Sequence, residues 1–236
     1  MKEIEVYWLW IYVAVMAAGA FYFASLSFQR KGVPRIEYLV AFIIPVWSGT
    51  AYASMAVGQG IVDIGEKVTY YARYLDWVVT TPLLLVALSM TGMFYIRKDK
   101  VIILGLVAAD VFMILTGLIA DLTSSWPLRY MWYTLGLVAL LLILWIIWYP
   151  LRHKAQSQGR ELASLYDKAA GYLSILWVCY PTIWLIGPSG IGLVGQVTDT
   201  VLFVILPIFS KVGFSILDLN GLRALKKSPD SNPLTA

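Results

Sequence analysis

The sequence holds a single cysteine, Cys179, and a single histidine, His153. One cysteine excludes an intramolecular disulfide and any cysteine-based metal site. Cys179 falls inside an apolar run and reads as a small packing hydrophobe. His153 lies in a basic stretch with no second histidine and no cysteine pair, so no metal site is expected. Charge is scarce as well: 14% of residues are Asp, Glu, Lys or Arg, against 60% hydrophobic. The net charge of +4 comes from short basic segments between apolar runs, so no nucleic-acid partner is implied. No strong internal repeat is present. The glycine-rich turn Gly187–Gly192 follows an apolar helix rather than a strand, so it is not a dinucleotide loop. Lys2 is followed by Glu3 and Glu5 and then by a long apolar run without a small-residue cleavage site. The N-terminus is therefore not expected to be a cleaved signal.

What fills the chain instead is a succession of apolar runs, each near the roughly twenty residues that a bilayer requires. They predict an all-α membrane protein with seven spans, at about Ile4–Phe28, Ile36–Gly58, Tyr70–Ile96, Val101–Ala120, Leu128–Tyr149, Ser164–Ile186 and Val197–Leu219. The intervening segments read as turns and loops. Gly58–Lys67 is long enough for a small hairpin, and Arg152–Arg160 reads as a polar, basic loop. Basic residues collect on one side, at Arg30, Lys31, Arg35, Arg97, Lys98, Lys100, Arg152, Lys154, Arg160, Lys168 and the tail. The other side has Lys2, Lys67 and Arg129. The positive-inside rule then puts the N-terminus outside and the C-terminus inside. No soluble domain is expected, and the protein belongs in the cell membrane as a multi-pass chain.

Few ionisable groups fall at membrane depth: Arg73, Asp76, Asp110, Asp199, Lys211 and Asp218. Lys211 is flanked by apolar residues for about two turns on either side, too far for snorkelling to the headgroups. Intramembrane charges are costly and usually functional. Arg73 and Asp76, three residues apart, share a helix face, so a structural ion pair is one reading of them. Trp177, Tyr180 and Trp184 line one face of the sixth span, and Trp77 follows Asp76. Aromatic walls beside a buried amine suit a long apolar ligand. An amine condenses with an aldehyde to give an imine, and its protonated form needs a counter-anion, for which Asp76 is the candidate. Asp110 and Met113 share a face of the fourth span. Asp110 either lines the far end of this pocket or is a hydrogen-bonded structural carboxyl.

Three stretches carry a resemblance. Arg73-Tyr-Leu-Asp76-Trp77-Val-Val-Thr80-Thr81-Pro82, Trp177-Val-Cys-Tyr180-Pro181-Thr-Ile-Trp184 and Ser210-Lys211-Val-Gly-Phe214 resemble the third, sixth and seventh helices of microbial rhodopsins. The resemblance runs through all seven spans. It implies all-trans retinal bound to Lys211 as a protonated Schiff base, Asp76 as counterion, and Arg73 on the extracellular side of Asp76. It also implies a pocket of Tyr52, Trp77, Thr80, Thr81, Leu84, Met113, Gly117, Tyr133, Trp177, Tyr180, Pro181 and Trp184, with Pro207 and Ser210 beside the lysine. Tyr133 stands where the archaeal pumps have tryptophan. A trimer, a light-driven activity that is not enzymatic, and residues 1–222 as the retinal-binding domain with 223–236 as a disordered cytoplasmic tail complete the expectation.

Departures from the outward proton pumps of that family bear on direction. Their cytoplasmic donor position is Ala87 here, their second counterion is Pro207, and one extracellular acid is Ser189, while Asp199 is kept. Pro207, one turn before Lys211, should kink the helix. Asp218 is seven residues after Lys211, two turns or about 10 Å further along nearly the same face. It is either a proton acceptor or a helix-end carboxylate paired with Arg223. The pattern from Pro207 to Arg223 is similar to the clade of xenorhodopsins, which pump protons inward, and of a cyanobacterial sensory rhodopsin with a soluble transducer. A light-driven inward proton pump is the leading expectation and a photosensor the alternative. A transporter or receptor with a structural Lys–Asp pair is the remaining reading.

Overall fold

In this computed structural model, which describes residues 2–64 and 67–225, seven helices are long and apolar enough to cross a membrane. They are α1 (Glu3–Ser27), α2 (Arg35–Ala56), α3 (Tyr71–Gly92), α4 (Lys100–Leu122), α5 (Trp126–Gln156), α6 (Arg160–Ile186) and α7 (Gln196–Ala224). The seven expected spans are all there. Lipid offers no partner to a backbone N–H or C=O, so an apolar run of this length satisfies its own backbone as a helix. The outer faces stay apolar, as at Phe21, Leu104, Leu141 and Ile175. Between α2 and α3, β1 (Val62–Ile64) and β2 (Lys67–Thr69) pair antiparallel, the expected hairpin.

The segment Arg152–Arg160 is not the loop that its polarity suggested. α5 continues to Gln156 and α6 begins at Arg160. Pro150 is absorbed by a wide turn over Ile147–Leu151, and the Tyr166 hydroxyl donates to the Ile147 carbonyl at 2.6 Å. Arg152 grips Asp167 of α6 through two nitrogens at 2.8 and 3.0 Å, and Lys154 pairs with Asp99 at 3.1 Å. The break comes at Gly159, whose φ of +108° is strained for any residue with a Cβ.

α7 is built around its proline. Pro207 has no N–H to give the Phe203 carbonyl one turn back. The Tyr52 hydroxyl of α2 supplies that hydrogen bond instead, at 2.7 Å. The next turn, Ile208–Gly213, is wide, with π-type spacing, and Tyr172 donates to the Phe209 carbonyl at 3.1 Å. Proline thus widens the turn that carries Lys211, which is the form the expected kink takes. Opposite it, a Cβ on Gly19 of α1 would lie 2.9 Å from Val212 Cγ2, so only glycine lets α1 lie this close to the lysine turn. The helix runs to Ala224, and the expected tail from 226 onward lies outside the described residues.

Candidate functional site

The wide turn of α7 aims Lys211 into the bundle, where it and Asp76 of α3 are both 0% exposed. Lys211 Nζ forms a hydrogen-bonded ion pair with Asp76 Oδ2. Ser48 of α2 closes the group. Its Oγ lies 2.8 Å from Lys211 Nζ, 3.0 Å from Asp76 Oδ2 and 2.6 Å from the Tyr12 hydroxyl. One hydroxyl proton settles the directions: Ser48 donates to Asp76 and accepts from Lys211 and Tyr12. The Tyr12 ring stacks on Tyr52 at 3.8 Å between centroids. Thr80, one turn after Asp76, donates to its backbone carbonyl at 2.9 Å and lies 3.2 Å from Oδ1. The only cation and the only carboxylate of this group therefore face one another, and hydroxyls fill the remaining lone pairs.

Arg73 does not pair with Asp76, although the two share a helix face. Its Nη1 meets Asp199 Oδ2 of α7 at 3.2 Å, and its guanidinium lies 4.2 Å from the Phe203 ring centroid. Tyr70 and Thr200 donate to Glu5 Oε1 at 3.0 and 3.1 Å in the same end of the bundle. Burial first, then the Glu5 carboxylate, pushes the Tyr70 phenol up to about 12, so it stays a donor. Glu5 is a buried site-side carboxylate that sequence reasoning missed, because an acid in a first helical turn reads as an exposed dipole partner.

Toward the other end, Asp218 is 3% exposed and accepts from Thr91 Oγ1 at 2.7 Å. Arg223 turns away from it, donating to the carbonyls of Leu26 and Gln29 at 3.1 and 2.7 Å and to the Tyr38 hydroxyl at 2.9 Å. The helix-end pairing of Asp218 with Arg223 is therefore not what the chain does. Glu37 of α2 is also buried here, likewise unforeseen. Ala87 packs among Leu84, Leu88 and Phe214, so nothing titratable stands at that level of α3.

Beside the ion pair lies an apolar cavity of about 700 Å³, counting its mouth. Trp77, Thr81, Met113, Gly117, Tyr133, Trp177, Tyr180, Pro181 and Trp184 line it as expected, joined by Tyr74, Ile114, Gly136, Leu137, Leu140 and Phe203. Tyr52, Thr80, Leu84, Pro207 and Ser210 lie outside that lining. Tyr52 donates to the Phe203 carbonyl that Pro207 leaves without an N–H, Thr80 serves Asp76, Ser210 bonds the Tyr180 hydroxyl at 2.7 Å, and Leu84 packs in the core. Tyr133 stacks on Trp184 at 4.8 Å and donates to the Pro181 carbonyl at 3.2 Å. Asp110 is not at the cavity; it accepts from Thr81 Oγ1 at 2.6 Å and ties α4 to α3. An aromatic-walled cavity of this size, with a buried amine and one carboxylate beside Trp77, fits retinal: the walls would take the polyene, Lys211 would hold the aldehyde carbon and Asp76 would face the charge.

Comparison with known proteins agrees with this geometry. The bacteriorhodopsin-like protein family matches residues 3–225. Archaerhodopsin-3 of Halorubrum sodomense is 35% identical over 234 residues, spanning 97% of this chain and 89% of that protein. Thermophilic rhodopsin from Rubrobacter xylanophilus superposes with a TM-score of 0.88 at 34% identity, covering 92% of this chain and 95% of the other. The rhodopsin of Coccomyxa subellipsoidea, described as a light-driven proton pump, gives a TM-score of 0.85 at 29% identity, covering 93% and 97%.

Proposed function

The chain belongs to the bacteriorhodopsin-like family of microbial rhodopsins, and from that membership we propose that it is a light-driven proton pump working inward, of the xenorhodopsin kind. Retinal, joined to Lys211 as a Schiff base, supplies the visible absorption and the light-driven isomerisation. Lys211 Nζ holds its proton against Asp76 Oδ2 and Ser48 Oγ, with Lys211 and Asp76 fully buried. The observation that carries the inward reading is Asp218. It is a buried carboxylate on the helix of Lys211, bonded among the described residues only to Thr91 and displaced toward the basic end of the bundle. With the basic end inside, a proton leaving Lys211 toward Asp218 moves to the cytoplasm. Ala87 offers no donor to send one back, so return comes from the side of Asp76, past Arg73 and Asp199.

The experiment is illumination of cells or vesicles bearing the protein, with the external pH recorded. Inward pumping raises it in a cell suspension, and a protonophore abolishes the change. Acidification would overturn the direction. No change at all would favour a photosensor reading through a soluble transducer. Against that reading, two basic side chains of the α5–α6 end, Arg152 and Lys154, are already engaged by Asp167 and Asp99. Lys211→Ala should give neither colour nor pH change. A wild-type protein that took up no retinal would leave only the transporter or receptor reading.

A further inference from the structure

A second concavity lies far from the ion pair, at the basic end between α1 and α2. It measures about 1350 Å³ counting its open mouth, and its lining includes Phe23, Arg30, Arg35, Ile36, Leu39 and Phe42. Two features set it apart from an ordinary lipid-facing seam. First, its rim is cationic. Arg30 and Arg35 are exposed, and neither forms an ion pair with a described residue, unlike Arg152 and Lys154. Second, the rim is held in place. Tyr38 donates to the Arg30 carbonyl at 2.8 Å, and Arg223 clamps the carbonyls of Leu26 and Gln29 and the Tyr38 hydroxyl. Below the rim the wall is apolar and open: Phe28 is 87% exposed, Leu39 50% and Ile36 47%.

We propose that this groove is a binding site for an anionic glycerophospholipid, its phosphate held by Arg30 and Arg35 and one acyl chain laid along Ile36, Leu39 and Phe42. Guanidinium forks match phosphate geometry with paired hydrogen bonds. A basic rim at the level of the headgroups attracts anionic lipid, and the apolar wall beneath it continues into the hydrocarbon layer. Free phosphate would use the rim and leave that wall uncovered. The chain's own continuation is a poor occupant, because Leu225 is followed by Lys226 and Lys227, of the same sign as the rim. A second copy docked symmetrically would set arginines against arginines.

The test uses the full chain in nanodiscs of phosphatidylcholine doped with phosphatidylglycerol, and measures lipid retained by native mass spectrometry together with immobilisation of spin-labelled phosphatidylglycerol. Arg30→Gln/Arg35→Gln should weaken phosphatidylglycerol binding by roughly 30-fold, two basic contacts' worth, and leave phosphatidylcholine retention unchanged. Arg97→Gln/Lys100→Gln, also exposed and basic, should change it by less than about threefold. Arg30→Lys/Arg35→Lys keeps the charge without the fork and should fall between them, which preserves the test if the glutamine variant does not fold. Equal phosphatidylglycerol retention in wild type and Arg30→Gln/Arg35→Gln would overturn the proposal. So would displacement of the bound lipid by millimolar inorganic phosphate alone, or a change of oligomeric mass in place of a change in bound lipid.

Discussion

Among the described residues, Asp76 is the only carboxylate paired with Lys211 Nζ, and Asp76→Asn removes it while leaving the surroundings in place. Asparagine keeps the shape, and Ser48 still stands 2.8 Å from the nitrogen. Breaking a buried pair by removing one partner costs about 3–5 kcal/mol. Each 1.36 kcal/mol is about one pH unit of proton occupancy, which makes a full loss worth roughly two to four units. The introduced amide oxygen recovers part of that as a charge-assisted hydrogen bond, about 1.5–3 kcal/mol for such a bond. The expected net displacement is therefore about one to one and a half units, toward lower pH, because the charged form loses its partner. The assay is the visible absorbance of the purified, retinal-loaded protein across pH, read as the midpoint at which the visible band gives way to the near-ultraviolet band. Ser48→Ala should move that midpoint in the same direction by about one unit, since one hydrogen bond to the cation is lost and the charge remains. A midpoint for Asp76→Asn within about half a unit of wild type would refute the assignment of Asp76 as the charge partner, since a shift that small is under the roughly one to one and a half units worked out above. A larger effect from Ser48→Ala than from Asp76→Asn would refute the ranking of charge over hydroxyl.

Asp218→Asn should slow or abolish both light-driven proton movement and the loss of the Lys211 proton, read by flash absorbance; transport equal to wild type would mean that another group or water accepts the proton. Arg73→Gln and Asp199→Asn should each lower stability by about 3–5 kcal/mol, the double variant by clearly less than the sum, in unfolding of the pigment by denaturing detergent; additive losses would show that the pair is not coupled. Asp99 is held below the usual carboxylate range first by the Lys154 ammonium and then by the Ile102 backbone N–H. A depressed folded value contributes stability above the unfolded value and loses it as pH falls through the folded one. Asp99→Asn should thus melt earlier than wild type at neutral pH, with the difference closing as pH falls through the lowered folded value; a pH-independent difference would point to packing instead.

Much of this protein was legible in one dimension. Seven apolar runs fixed seven helices, because lipid leaves a backbone no other way to pair its polar groups. Lys211 announced itself for the same reason, as an amine at a depth where an unpartnered charge is not tolerated. Nine of the residues expected at the cavity line it, since aromatic and small residues at helical spacing keep their face when the helix stays straight. What the sequence left undecided are the pairings between helices. Arg73 and Asp76 sit three apart, yet each finds its partner on α7, in Asp199 and Lys211. Ser48 and Tyr12 carry no signal in α2 and α1 until packing places both hydroxyls on the ion pair. Arg152–Arg160 looked like a loop by polarity, but Arg152 and Lys154 are met by Asp167 and Asp99, and the helix breaks only before Gly159. Glu5 and Glu37 read as end residues and are buried, because neighbouring helices cover the ends. Local sequence sets which residues share a face; which face meets which partner depends on how seven helices close on one another, and tertiary packing alone decides that.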